Sequence, residues 1–264
     1  MASAANVPED VPSGGVIGRH VGQHGAVETE PLLGKPGDAT LPEGASIMRS
    51  FFIGTGVVAE LGILLLTLDI WAHIFMKPVI FFSGHPLAMT VALFLLVQSI
   101  LALQPTSTPG QKRVGQRVHA SLNLVAFAAL VTGAVFIQVN KFRSHSPHFH
   151  SLHAYVGAVT LLLIAGQYVV GFTMWATPGL YGGVDSAKKL YKYHRYSGYL
   201  ILVLLLAAVC TAMETDYVVG VLGINVWVVV MGAVVVLLGV SARIQKHKLG
   251  LGVRRPVVGE EGGI

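Results

Sequence analysis

The chain has 264 residues, 53% hydrophobic and only 12% charged, with a net charge of +5 and one cysteine. Soluble domains carry about 25% charged residues, so this deficit, with a mean hydropathy of +0.66, argues against an ordinary soluble protein. A single cysteine excludes an intrachain disulfide and any cysteine-ligated zinc or iron–sulfur site.

Residues 1–48 are rich in Gly, Pro, Ala and polar side chains and show no apolar periodicity. They are expected to form a disordered tail. The first apolar run begins near Phe51, too late for a cleaved leader. Within the tail, Glu28-Thr29-Glu30-Pro31-Leu32-Leu33 has the form of an acidic dileucine sorting signal for lysosomes and vacuoles, readable only if the tail is cytosolic.

Six apolar runs follow, at roughly 51–75, 84–104, 118–140, 152–175, 194–213 and 218–242. Each has about the 20 residues a helix needs to cross the hydrocarbon core. Lipid admits only helices and closed barrels, and barrel strands are half this length, so an all-α bundle of six transmembrane helices is expected. Cys210 falls inside the fifth run and reads as helix packing. Residues 1–48 then form a cytosolic tail, 49–245 the membrane domain and 246–264 a basic cytosolic tail.

Lysine and arginine set the direction. With the N-terminus cytosolic, that side holds Arg19, Lys35, Arg49, Lys112, Arg113, Arg117, Lys188, Lys189, Lys192, Arg195, Arg243, Lys246, Lys248, Arg254 and Arg255. The other side holds Lys77, Lys141 and Arg143. This 15-to-3 division of the 18 basic residues predicts both termini in the cytosol. It also accounts for the pI near 9.4 without nucleic acid as a partner.

Each of the four central runs opens on a histidine: His85, His119, His153 and His194. The expectation is that each lies in the first turn of its helix. Helices two and four then start from the non-cytosolic face, and three and five from the cytosolic face. Only the pairings His85 with His153, and His119 with His194, keep both partners at one depth. Ionisable groups inside a membrane usually mark function. Zinc takes four protein ligands, or three and a water, which two histidines per face under-supply. Haem iron needs only two axial groups. One helical turn past His153 and His194 stand Gly157 and Gly198, which leave room for a flat ring, and one turn past His119 stands Asn123. Two haems per chain, held by the central four helices, are therefore expected. His153 is preferred to His150 as the ligand because it is deeper in its run.

The stretches His85-Pro86-Leu87-Ala88-Met89, His119-Ala120-Ser121-Leu122-Asn123, Ser151-Leu152-His153-Ala154-Tyr155-Val156-Gly157, Gln167-Tyr168-Val169-Val170-Gly171-Phe172 and His194 resemble the cytochrome b561 family of transmembrane di-haem electron carriers. The resemblance covers roughly residues 50–245. It implies electron transfer from cytosolic ascorbate, through two b haems, to monodehydroascorbate or ferric chelates on the far side, and it implies a homodimer in the lipid bilayer. The chain departs from the family at Leu101-Ala102-Leu103-Gln104-Pro105-Thr106-Ser107, where ascorbate-using members often carry a Leu-Leu-Val-Tyr-Arg-like segment. There it looks more like the short cytochrome b561 domain-containing proteins.

An anionic donor needs cations where it docks. Lys112, Arg113, Arg117 and Lys192 are the candidates on the cytosolic side, and Lys141, Arg143, His148 and His150 on the acceptor side. Glu60, in the first run, is a candidate buried carboxylate. The rival reading, from a different class, is a haem-free transporter or channel that uses its histidines for metal or protons.

Overall fold

In the computed structural model, which describes residues 39–250, the described residues contain helices and turns and no strand. The six main helices are α1 (Gly56–Phe75), α2 (Gly84–Leu103), α3 (Pro109–Ser144), α4 (Leu152–Ala176), α5 (Val184–Ala212) and α6 (Val226–Ser241). The first five are long and apolar enough to cross a membrane.

Helix ends differ from the apolar runs where polar capping extends them. Thr108 accepts from the backbone of Gln111, the Gln111 side chain returns the bond, and Pro109 occupies the first turn. This capping box starts α3 ten residues before His119. Likewise α5 starts ten residues before His194. The expectation of a first-turn histidine is correct for His85 and His153 and wrong for His119 and His194. The basic turns ahead of the latter two continue the helix outside the apolar run.

The sixth run is interrupted. A π-helical turn, Val218–Leu222, ends at Gly223 in the left-handed region (φ 67°), and Asn225 then caps α6 through the backbone of Trp227. The 16 residues of α6 span about 24 Å, less than the roughly 30 Å hydrocarbon core.

The helices pack in close pairs: α1 with α6, α2 with α3, and α4 with α5. The α1–α6 contact depends on small residues. A Cβ on Gly239 would collide with the backbone of Ala59, and one on Gly62 would lie 2.8 Å from the backbone nitrogen of Val236. Glycines of this kind let helix backbones approach where lipid supplies no hydrophobic drive. A separate core of Ala92, Leu96, Ala126, Leu130, Ile164 and Ile201 joins the middles of α2 to α5. Outward positions such as Leu124, Leu162, Phe172 and Trp227 remain apolar and exposed, as lipid-facing side chains should be.

One end of the bundle, here the basic end, carries Lys112, Arg195 and Lys248. Two segments that read as tail pack on it. Leu41 is buried and its N–H donates to the Pro105 carbonyl at 2.8 Å. Lys248 donates from Nζ to the carbonyls of Gln104 and Thr106, both at 2.7 Å, while Arg195 Nη1 donates to the Lys248 carbonyl at 2.7 Å. The Glu28–Leu33 stretch lies outside the described residues.

Gly239→Val should force α6 from α1 at the cost of an overpacked contact, about 1–3 kcal/mol. Thermal unfolding in detergent should show a lowered midpoint; an unchanged midpoint contradicts the close approach. Lys248 gives a pH prediction. Burial, then the cations Arg195, Lys112 and Arg243, push its amine down to about 7. Below that pH both folded and unfolded chains carry the proton and the buried charge is fully costly. Between about 7 and the ordinary lysine value of about 10.4 only the unfolded chain does, so stability rises with pH. The neutral amine keeps two N–H groups for its two carbonyls. Wild type should therefore gain thermal stability relative to Lys248→Met on going from pH 6 to 9, and a pH-independent difference contradicts this.

Candidate functional site

Three of the four histidines are held by the same contact. His85 donates from Nδ1 to the Gly133 carbonyl at 2.9 Å, His119 to that of Ser99 at 3.0 Å, and His153 to that of Ala208 at 2.8 Å. Each acceptor lies 14 residues past the histidine of its own helix: Ser99 after His85, Gly133 after His119, Ala208 after His194. Fourteen residues is close to four helical turns, so histidine and acceptor share a helix face about 21 Å apart. In α2 and α3, which run antiparallel, the arrangement is reciprocal. With Nδ1 engaged as donor, Nε2 is the nitrogen left with a lone pair to ligate a metal.

His85 and His153 oppose one another, with ring centroids 6.1 Å apart and planes crossing at 77°. Two imidazoles on one metal at about 2 Å each have centroids about 6 Å apart once the ring radius is added, so this pair fits a bis-imidazole metal. Phe82 stacks on His85 at 6.0 Å and meets Tyr217 edge-on at 4.7 Å. Gly157, beside His153, faces open space.

His119 and His194 lie near one another at the basic end. A Cβ on Gly171 would lie 2.9 Å from Cε1 of His194, so α4 must carry glycine there for the imidazole to seat. This pair is not symmetric with the first. The register of 14 would offer His194 the carbonyl of Gln167, yet His194 Nδ1 is buried without a partner. Gln167 instead donates its amide to the His194 carbonyl at 2.6 Å and accepts from Ser197 at 2.8 Å. A Cβ on Gly198 would stand 3.3 Å from that amide, so Gly198 makes room for Gln167. Asn123 donates to the His119 carbonyl at 2.6 Å and its own carbonyl accepts from Tyr168 at 2.7 Å, which ties α3 to α4.

The charged candidates divide by end. Lys112, Arg113, Arg117 and Lys192 are exposed at the basic end, and Lys192 lies over the Tyr193 ring at 4.8 Å. At the opposite end Lys141 meets His150 at 3.4 Å and Arg143 lies over Phe81 at 5.0 Å, while His148 is near Phe149. Among the described residues no three His, Cys, Asp or Glu side chains gather as metal ligands. Sequence reasoning singled out none of Phe82, Gly171 or Lys248 as site residues. The glycine stood inside the matched stretch Gln167–Phe172, and its spacing to the histidine of another helix carries no local signal.

The family model described as eukaryotic cytochrome b561 matches residues 84–219, from the start of α2 past the end of α5. The chain is 31% identical over 140 residues to the lysosomal membrane ascorbate-dependent ferrireductase CYB561A3 of Mus musculus, covering 52% of this chain and 56% of that protein. It is 30% identical over 133 residues to transmembrane ascorbate ferrireductase 2 of Arabidopsis thaliana, covering 50% and 56%. It is 32% identical over 135 residues to the plasma membrane ascorbate-dependent reductase CYBRD1 of Mus musculus, covering 48% and 44%. The chain thus spans about half the length of the curated relatives it matches. The matched region carries all four of these histidines, and the chain belongs to the cytochrome b561 family, whose members bind haem b.

Proposed function

We propose that this protein carries single electrons across a membrane from a cytosolic anionic reductant, ascorbate by analogy with its relatives, to ferric chelate or monodehydroascorbate on the other side. The observation that carries this reading is the 6.1 Å opposition of His85 and His153, with each Nδ1 committed to a carbonyl and each Nε2 free. Haem b, when bound, supplies a one-electron iron couple.

The residues divide the work. His85 with His153, and His119 with His194, would each hold one haem iron. The carbonyls of Gly133, Ser99 and Ala208 hold the rings in one tautomer and raise their basicity as ligands. Gly157 and Gly171 leave space against α4. The apolar core of Ala92, Leu96, Ala126, Leu130, Ile164 and Ile201 lies between the two levels and excludes water. At the basic end, taken as cytosolic from the charge division, Lys112, Arg113, Arg117 and Lys192 gather the anionic donor by long-range attraction. At the other end Lys141, Arg143, His148 and His150 meet the acceptor. Lys141 beside His150 favours an anionic chelate over bare ferric iron. In this reading α6 with the preceding π-helical turn completes a sixth crossing, both termini are cytosolic, the membrane is lysosomal or vacuolar, and the assembly is a homodimer.

His153→Leu should halve the haem bound per chain and remove one component of the reduced-minus-oxidised spectrum, leaving the His119/His194 component. Retention of both components sinks the pairing, and a wild-type protein with no b-haem band returns the haem-free alternative. Reversing charge at Lys112, Arg117 and Lys192 together should slow reduction by ascorbate about tenfold or more at low salt, with little effect on a neutral reductant, because steering acts on charged partners and is screened by salt. Equal slowing of both reductants in stopped-flow experiments contradicts a docking role.

A further inference from the structure

A polar cluster is buried among α1, α2 and α6 at the basic end, and neither histidine pair uses it. Glu60 is 8% exposed, Arg243 1%, Gln104 8% and Ser50 0%. Gln98 Nε2 donates to Glu60 Oε2 at 2.8 Å, and Arg243 Nη2 donates to the Ser50 carbonyl at 2.7 Å. The rest of the cluster is unsatisfied: Glu60 Oε1, Arg243 Nε and Nη1, Ser50 Oγ and Gln104 Oε1 have no partner. Buried polar atoms without partners are rare and costly. A Cβ on Gly56 would meet the Phe51 carbonyl and stand 2.6 Å from Arg243 Nη1, so a glycine at this position leaves room for both. Packing alone does not require a carboxylate and a guanidinium held this way.

The cluster is joined to the His119 site through one turn of α2. Gln98 bonds Glu60, and the next residue, Ser99, accepts from His119 Nδ1. It is joined to the basic end through Gln104, whose side-chain amide donates to Tyr199 Oη at 3.2 Å and whose backbone carbonyl accepts from Lys248. Glu60 faces the neutral amide of Gln98 on α2 and the charge of Arg243 beyond α6. Tyr199 of α5 stands behind Arg243, with Arg195 and Tyr199 near one another.

An electron added to the His119/His194 site places a negative charge in a low-dielectric region, where it is strongly unfavourable unless compensated. We propose that Glu60 is the redox-linked proton acceptor of that site. This rests on the electron-carrier reading above. The monoanion of an ene-diol donor loses one electron and one proton and becomes a radical anion. With haem bound, the electron would reduce its iron from ferric to ferrous, and a proton from the same end would convert the Glu60 carboxylate to the acid at Oε1. No other bond changes, and the net charge of the buried region is unaltered. On reoxidation Glu60 returns the proton. Gln98 holds Oε2 in both states, and Arg243 stabilises the carboxylate without contacting it closely enough to block protonation.

The test is a redox titration of the purified haem protein across a range of pH, on wild type and Glu60→Gln, with the spectral components assigned by His153→Leu. In wild type the His119/His194 component should fall by about 59 mV for each tenfold drop in proton activity over part of the range. In Glu60→Gln that dependence should vanish, while the His85/His153 component behaves alike in both. A slope that survives the substitution, or a wild-type component without one, overturns the proposal. Reduced-minus-oxidised infrared spectra of wild type alone provide a check that needs no variant to fold. A carboxylic-acid C=O band that appears on reduction and shifts in D2O is expected, and its absence overturns the proposal. A preparation with no haem band fails at the electron-carrier reading itself, whereas haem bands with pH-independent potentials overturn the role of Glu60 alone.

Discussion

A histidine ring that donates Nδ1–H to a carbonyl on the neighbouring helix has its tautomer, its orientation and its free nitrogen set by one bond. The bonds of His85 to Gly133, His119 to Ser99 and His153 to Ala208 do this three times at one register. Because 14 residues nearly complete four turns, α2, α3 and α5 each present a histidine and an acceptor carbonyl on one face. The same bond that orients a ring therefore also locks two antiparallel helices in register. The apolar core between the two levels then fills the space that the register creates.

The departures from this pattern are informative. His194 keeps a buried Nδ1 without a partner, and Gln167, the residue whose carbonyl the register would supply, turns its side chain to the His194 backbone instead. The two histidine levels are thus not equivalent in their outer contacts, and outer contacts tune a ligated metal. The buried Glu60 and Arg243 sit nearer the less satisfied level, and most of the buried unpartnered side-chain atoms among the described residues lie at the basic end.

Much of this was legible because a membrane leaves few choices. Runs of about 20 apolar residues become helices, and His85 and His153 start theirs as read. The true starts of α3 and α5 were not, since Thr108 and Gln111 cap a helix that opens on a stretch interrupted by Gln111, Lys112, Arg113, Gln116 and Arg117, and hydropathy sees only the apolar part. The break before α6 turns on Gly223, whose positive φ is invisible in a run of valines and leucines. Leu41 and Lys248 each dock as single residues in segments without periodicity, so no pattern announces them. The acceptor carbonyls belong to the backbone, which any residue can offer, and only the folded register identifies Gly133, Ser99 and Ala208.

The central claim is that four histidines on four helices hold two haems, one at each level. The most direct measurement is the haem content of the purified chain by pyridine haemochrome, set against protein concentration. The account predicts a b-type spectrum and two haems per chain. One haem per chain, or none, contradicts it.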